Sequence, residues 1–350
     1  MKLAFRIAIA LATALAGAAS AVAQSPYRLE SAVALKGHSP EWDYVTLDPA
    51  RGRLFIGRRN DGAMVYDIKA RRVIRTLDQT DDANAIVLVP EFDRGYTTNG
   101  DGSTTAFQIS TLKTIGRIKF GDDADAGFYD PITHQIAYTM GDSKAIAFID
   151  AGTGRITGKL PMESHKLDAA VADGHGGLFM ALRDRDAIAR IDMANRQQVG
   201  EWKTTGCDEP TGLAYDAANR RLFVGCRGKA PVLAVLDAET GAVITTLEIG
   251  RGNDGVIYDA GSRRVYTSNG VDANLVIYDQ VDADHYKLAS AVTTRPYART
   301  MALDAGTRKI YLVTAEGLAD PSRKINKAVA PFYPNRYFDD TFTVLTYAQR

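Results

Sequence analysis

The chain has 350 residues, 45% of them hydrophobic, and its 42 Lys and Arg are matched by 42 Asp and Glu. A formal net charge of zero excludes a nonspecific nucleic-acid binder, which needs a basic surface to displace counterions. Beyond the N-terminus no stretch reaches the roughly 20 apolar residues of a membrane span, so none is expected.

Residues 1–23 read as an export signal. Lys2 and Arg6 precede the apolar run Ile7 to Leu15, and Ala21-Val22-Ala23 forms a small-residue cleavage site before Gln24. No cysteine follows that site, so a lipid anchor is not expected. Residues 24–350 are then a single exported domain, periplasmic or secreted and expected to be monomeric.

Tyr27 to Leu35 alternates like a strand and stands before the first full repeat. From there a pattern recurs seven times, marked by Asp48, Val89, Asp130, Asp173, Asp216, Asp259 and Asp304 at gaps of 41 to 45 residues. Periodicity of this length signals an array of supersecondary units, each too small to bury its own core. The fifth copy shows the unit. Gly212 to Tyr215, Arg221 to Gly225, Val232 to Leu236 and Ala242 to Ile249 are short apolar runs divided by Asp, Asn and Gly turns, which predicts a four-stranded meander. Four strands at this period make a β-propeller blade. The last copy ends on Phe342 to Tyr347, a third strand with no fourth after it. The expected fold is therefore all-β, a seven-bladed β-propeller of four antiparallel strands per blade. The N-terminal strand would close the last blade and remove an exposed edge.

In a propeller the first strand of each blade lines the central channel. Five residues before each anchor stand Asp43, Asn84, Asp125, Asp168, Thr211, Asp254 and Arg299. Five strand steps span roughly 17 Å, so these residues gather at one mouth while the anchors turn the chain at the other. Asp43, Asn84, Asp125, Asp168 and Asp254 make a set of oxygen donors suited to a hard cation such as Ca²⁺. Alternatively, each caps its own strand. Arg299 is a counter-charge or an anchor for an anion. The loops between second and third strands open at the same mouth and bring Arg58, Arg59, Arg183, Arg185 and Arg227, whose guanidiniums suit carboxylate or phosphate groups. His165, beside Glu163 and Asp168, is a candidate general base or metal ligand; otherwise it is a surface residue. Cys207 and Cys226 flank the first hairpin of blade five, and in an oxidising compartment they are expected to pair. A thiol pair binding a soft metal is the alternative. Blade seven carries a long loop at about residues 315–340. Its Phe332, Tyr333, Tyr337 and Phe338 would either cover the channel or pack on neighbouring blades.

The second strand reads Tyr96-Thr97-Thr98-Asn99 in one copy and Tyr266-Thr267-Ser268-Asn269 in another. With the turn Asp237-Ala-Glu-Thr-Gly241, this resembles the YVTN repeat of YncE-like periplasmic propellers over nearly all of the mature chain. The resemblance implies a non-enzymatic binding or scaffold protein of the cell envelope, with an envelope protein or a small anionic ligand at the channel mouth and no certain cofactor. The alternative is a Ca²⁺-dependent hydrolase of lactonase type, whose propellers hold the metal in a comparable place. No Ser-His-Asp order, HExxH, Walker loop or haem motif is present.

Overall fold

Short β-branched runs between Asp and Gly turns fold into seven four-stranded antiparallel sheets. The structure, a computed structural model, describes residues 27–38, 41–323 and 334–349; the export signal expected at 1–23 lies outside them. Blade one is Val45–Asp48, Arg53–Gly57, Ala63–Asp67 and Arg72–Thr76. Blade five is Pro210–Asp216, Arg221–Cys226, Val232–Asp237 and Val243–Glu248. Each inner strand contacts the inner strands of both neighbouring blades, and blade seven meets blade one, so the ring closes. The closing blade is built as expected. Tyr27–Leu35 pairs antiparallel with Phe342–Gln349, from Tyr27 opposite Gln349 to Leu35 opposite Phe342, and is its outermost strand.

The recurring aspartates act as turn formers. Asp130 accepts the Thr133 amide at 2.9 Å, Asp216 the Ala218 amide at 3.1 Å, and Asp304 the Gly306 amide at 2.9 Å. Blade two has Val89 at this position, and a 3₁₀ turn at Pro90–Phe92 takes over.

Hydrophobic side chains pack chiefly between consecutive blades. Phe179 and Ile188 of blade four meet Leu222, Val224 and Ala234 of blade five in one cluster, all essentially solvent-free. Burying each large side chain stabilises the ring by about 1.5–3 kcal/mol. Cys207 and Cys226 form a disulfide with Cα atoms 5.3 Å apart. Among the described residues no helix is long and apolar enough to cross a membrane.

Two irregularities repeat. In all seven outer strands one residue is skipped in the pairing with the third strand: Ile74, Ile115, Thr157, Val199, Ile244, Ala289 and Glu30. In blades two, four, five and six the inner strand slips register at Asn84, Asp168, Thr211 and Asp254. The second slip frees the backbone where the channel mouth begins.

Candidate functional site

The inner strands deliver Asp43, Asp125, Asp168, Asp254 and Arg299 to one cavity of about 370 Å³ at the channel mouth. Hydroxyls of adjacent blades fix the backbone there. Thr300 Oγ1 donates to the Asp43 carbonyl at 2.6 Å, Thr98 Oγ1 to that of Asp125 at 2.6 Å, and Ser268 Oγ to that of Arg299. Thr98 and Ser268 are third residues of the two Tyr-Thr-Thr/Ser-Asn motifs. The motif thus has a local physical role: its hydroxyl clamps the mouth residue of the next blade.

Three further arginines enter the same cavity, and they decide its electrostatics. Arg59 Nη2 meets Asp43 at 2.9 Å, and Arg299 lies between Asp43 at 3.5 Å and Asp254 at 3.1 Å. Arg227 meets Asp254 at 2.9 Å. Arg183 stands farther off, 3.6 Å from Asp168 and 3.8 Å from Glu209. Asp125 has no cationic partner within ion-pair distance among the described residues. Burial pushes its carboxyl up to about 8, helped by the like charges of Asp43 and Asp168, with Arg59 opposing. Burial also raises Asp43 and Asp168, although Arg299 and Arg59 pull the first down, and Arg227 and Arg183 the second. Burial alone would lower Arg227, but Asp254 and Asp168 outweigh it and the group is raised. Near neutral pH Asp125 is therefore a neutral acid, in a cavity that also holds the four guanidiniums of Arg59, Arg183, Arg227 and Arg299. Glu41 stands exposed at the outer lip.

This donor set does not fit a Ca²⁺ cage. Among the described residues no three His, Cys, Asp or Glu side chains come close enough to share an ion. Guanidiniums stand where a cation would. Asn84 is buried and donates from Nδ2 to the Ala124 carbonyl at 3.0 Å, tying blade two to blade three.

Other expected site residues lie elsewhere. Arg58 is 1% exposed, pairs with Asp61 at 2.9 Å and sits 3.9 Å above the Phe342 ring. Burial lowers it to about 10. Arg185, in the turn between the second and third strands of blade four, pairs with Glu201 of its outermost strand at 2.9 Å. His165 is 56% exposed and held by Asp184 at 2.7 Å. It lines a small side cavity shared with Asp125, Asp168 and Arg183, not the main one. The stem of the long loop reaches the cavity through Tyr337, which stacks on Tyr297 at 5.5 Å and meets Trp42 edge-on at 5.5 Å. Phe338 is exposed, and Phe332 and Tyr333 lie outside the described residues.

Sequence reasoning missed Tyr44. It lines the cavity floor, and burial together with Asp168, Asp125, Asp43 and Asp254 raises its phenol well above the usual value, so it stays protonated. A signal was available. The same position holds Ala85, Ala126, Ala169, Gly212, Gly255 and Thr300 in the other six repeats. One tyrosine in a column of small residues sets blade one apart.

No family model matches the chain, and no curated protein matches it. Among solved structures, a chain of the mitotic checkpoint complex is similar at 13% identity and a TM-score of 0.71, over 90% of this chain and 95% of that one. Kuenenia stuttgartiensis hydrazine synthase is similar at 15% identity and a TM-score of 0.67, over 89% and 96% respectively. Because 1813 solved chains match in all, the likeness selects no function. At these identities it supports the β-propeller fold alone.

Proposed function

We propose that this chain is an exported, YncE-like propeller that acts as a binding protein rather than an enzyme, holding a small anionic ligand at the mouth of its channel. One observation carries the reading. Four guanidiniums from blades one, four, five and seven converge on one cavity, and two of them keep donors in reserve. Among the described residues, Arg227 meets only one carboxylate oxygen within ion-pair distance, and the guanidinium of Arg183 makes only long contacts. An incoming carboxylate can take both oxygens into such forks, with the neutral Asp125 acid as a further donor. Export accords with the N-terminal sequence and with a disulfide, which persists in oxidising compartments. An envelope protein presenting an acidic side chain would use the same face. The lactonase reading has less behind it, because three of its five metal ligands, Asp43, Asp168 and Asp254, are matched to arginines.

Calorimetric titration of the mature protein with small carboxylates tests the proposal. Saturable binding weakened at least tenfold by Arg227→Met is expected. Absence of binding, together with a melting temperature that falls in EDTA and recovers in Ca²⁺, would instead restore the metal reading.

A further inference from the structure

Below the mouth lies a second cavity, of about 150 Å³, inside the channel. It shares Tyr44, Asp254 and Thr300 with the mouth cavity, so these three residues form the boundary between the two. The rest of its wall is apolar. Val45, Leu213, Val256, Ile257 and Met301 line it, and Ala169, Gly212 and Gly255 belong to the column of small residues that leaves the space open. Two of the three polar side chains at the boundary are committed. The Thr300 hydroxyl bonds the Asp43 carbonyl, and Asp254 is paired with Arg227 and Arg299. A charged guest would forfeit its hydration among these aliphatic side chains. A void of this size among aliphatic side chains takes an apolar guest about as large as benzene.

We infer that the ligand is a short amphiphile: a carboxylate head among the arginines of the mouth, and an apolar tail of about four to six carbons passing Tyr44 into the channel. This rests on the anion-site reading and adds its ligand class. Tyr44 is the gate between head and tail sites. Its backbone is fixed, the amide donating to the Asn84 carbonyl at 3.0 Å and the carbonyl accepting from Gly57 at 3.1 Å. Passage therefore requires only rotation of its side chain.

The test is calorimetric titration of the wild-type mature protein with acetate, butyrate, hexanoate and decanoate, with hexylamine as control. Affinity is expected to rise about fourfold per methylene up to hexanoate, the factor equivalent to about 0.8 kcal/mol per buried methylene, and to stop rising by decanoate. Hexylamine is expected not to bind. Equal affinity for acetate and hexanoate would overturn the tail site and leave the anion site standing. Hexylamine binding as tightly as hexanoate, or no carboxylate binding at all, would overturn the anion site itself. Ile257→Trp, which puts an indole against the inner cavity, should flatten the chain-length dependence. A dependence that persists in this variant would place the tail elsewhere and overturn the inference. The wild-type series stands without the variant.

Discussion

Removing the charge of Asp125 should make the protein more stable, and increasingly so as the pH rises. Its carboxyl is pushed from the ordinary 3.8 up to about 8 by burial and by Asp43 and Asp168. Between these values the folded chain keeps a proton that the unfolded chain has released. Stability therefore falls as pH rises through the window and levels off above about 8. Each pH unit is worth about 1.36 kcal/mol at full effect, so pH 5 to pH 8 spans about 4 kcal/mol. Water entering the mouth and movement of Arg59 towards the carboxylate reduce this to about 2–4 kcal/mol. Asparagine keeps the shape and cannot ionise. Urea unfolding of wild type and Asp125→Asn, with the disulfide intact, should show the variant's advantage widening by that amount from pH 5 to pH 8. A gap that stays constant across the range would refute the reasoning, because it would mean that Asp125 already ionises at low pH in the folded protein.

Reduction of Cys207–Cys226, which closes a 19-residue separation, should cost roughly 3 kcal/mol in the chain-entropy model. A thermal melt with and without reductant measures it. Phe342→Ala removes a 1%-exposed ring packed on Trp42 at 5.5 Å and under Arg58 at 3.9 Å. A loss of about 3–5 kcal/mol in denaturant unfolding is expected. Deleting Tyr27–Leu35 uncovers the Phe342–Gln349 edge along its length. Size-exclusion chromatography should then show more oligomer or aggregate than the intact chain gives.

The fold was legible because its signals are local and repeated. A turn aspartate needs only the amides two or three residues on, as at Asp130 and Asp216, so one repeat predicts the next. Closure by Tyr27–Leu35 followed from counting strands. The strand of blade five read as Gly212 to Tyr215 runs from Pro210 to Asp216; its ends depend on pairing that sequence does not display. At the site, register counting brought Asp43, Asp125, Asp168, Asp254 and Arg299 to one cavity. It did not say which way neighbouring side chains turn. Asn84 faces the blade junction because the Ala124 carbonyl is there, and Arg185 leans outward to Glu201. Arg58 and Arg59 are adjacent in sequence, yet one packs on Phe342 of the last blade and the other reaches Asp43. Some partners lie in another blade, as Ala124 does for Asn84, and others on another strand of the same blade, as Glu201 does for Arg185.

The skipped residue in every outer strand bears on how this molecule tolerates crowding. A ring of seven sheets has seven outward rims, each a row of backbone donors and acceptors that can pair with a passing extended chain. A bulge at the same level in all seven breaks each row into pieces and twists it, so no long flat template is offered. The circumference is thereby made inert towards strand addition. The rims being broken in this way, the arginine-lined cavity lies at an end of the ring and not on its circumference.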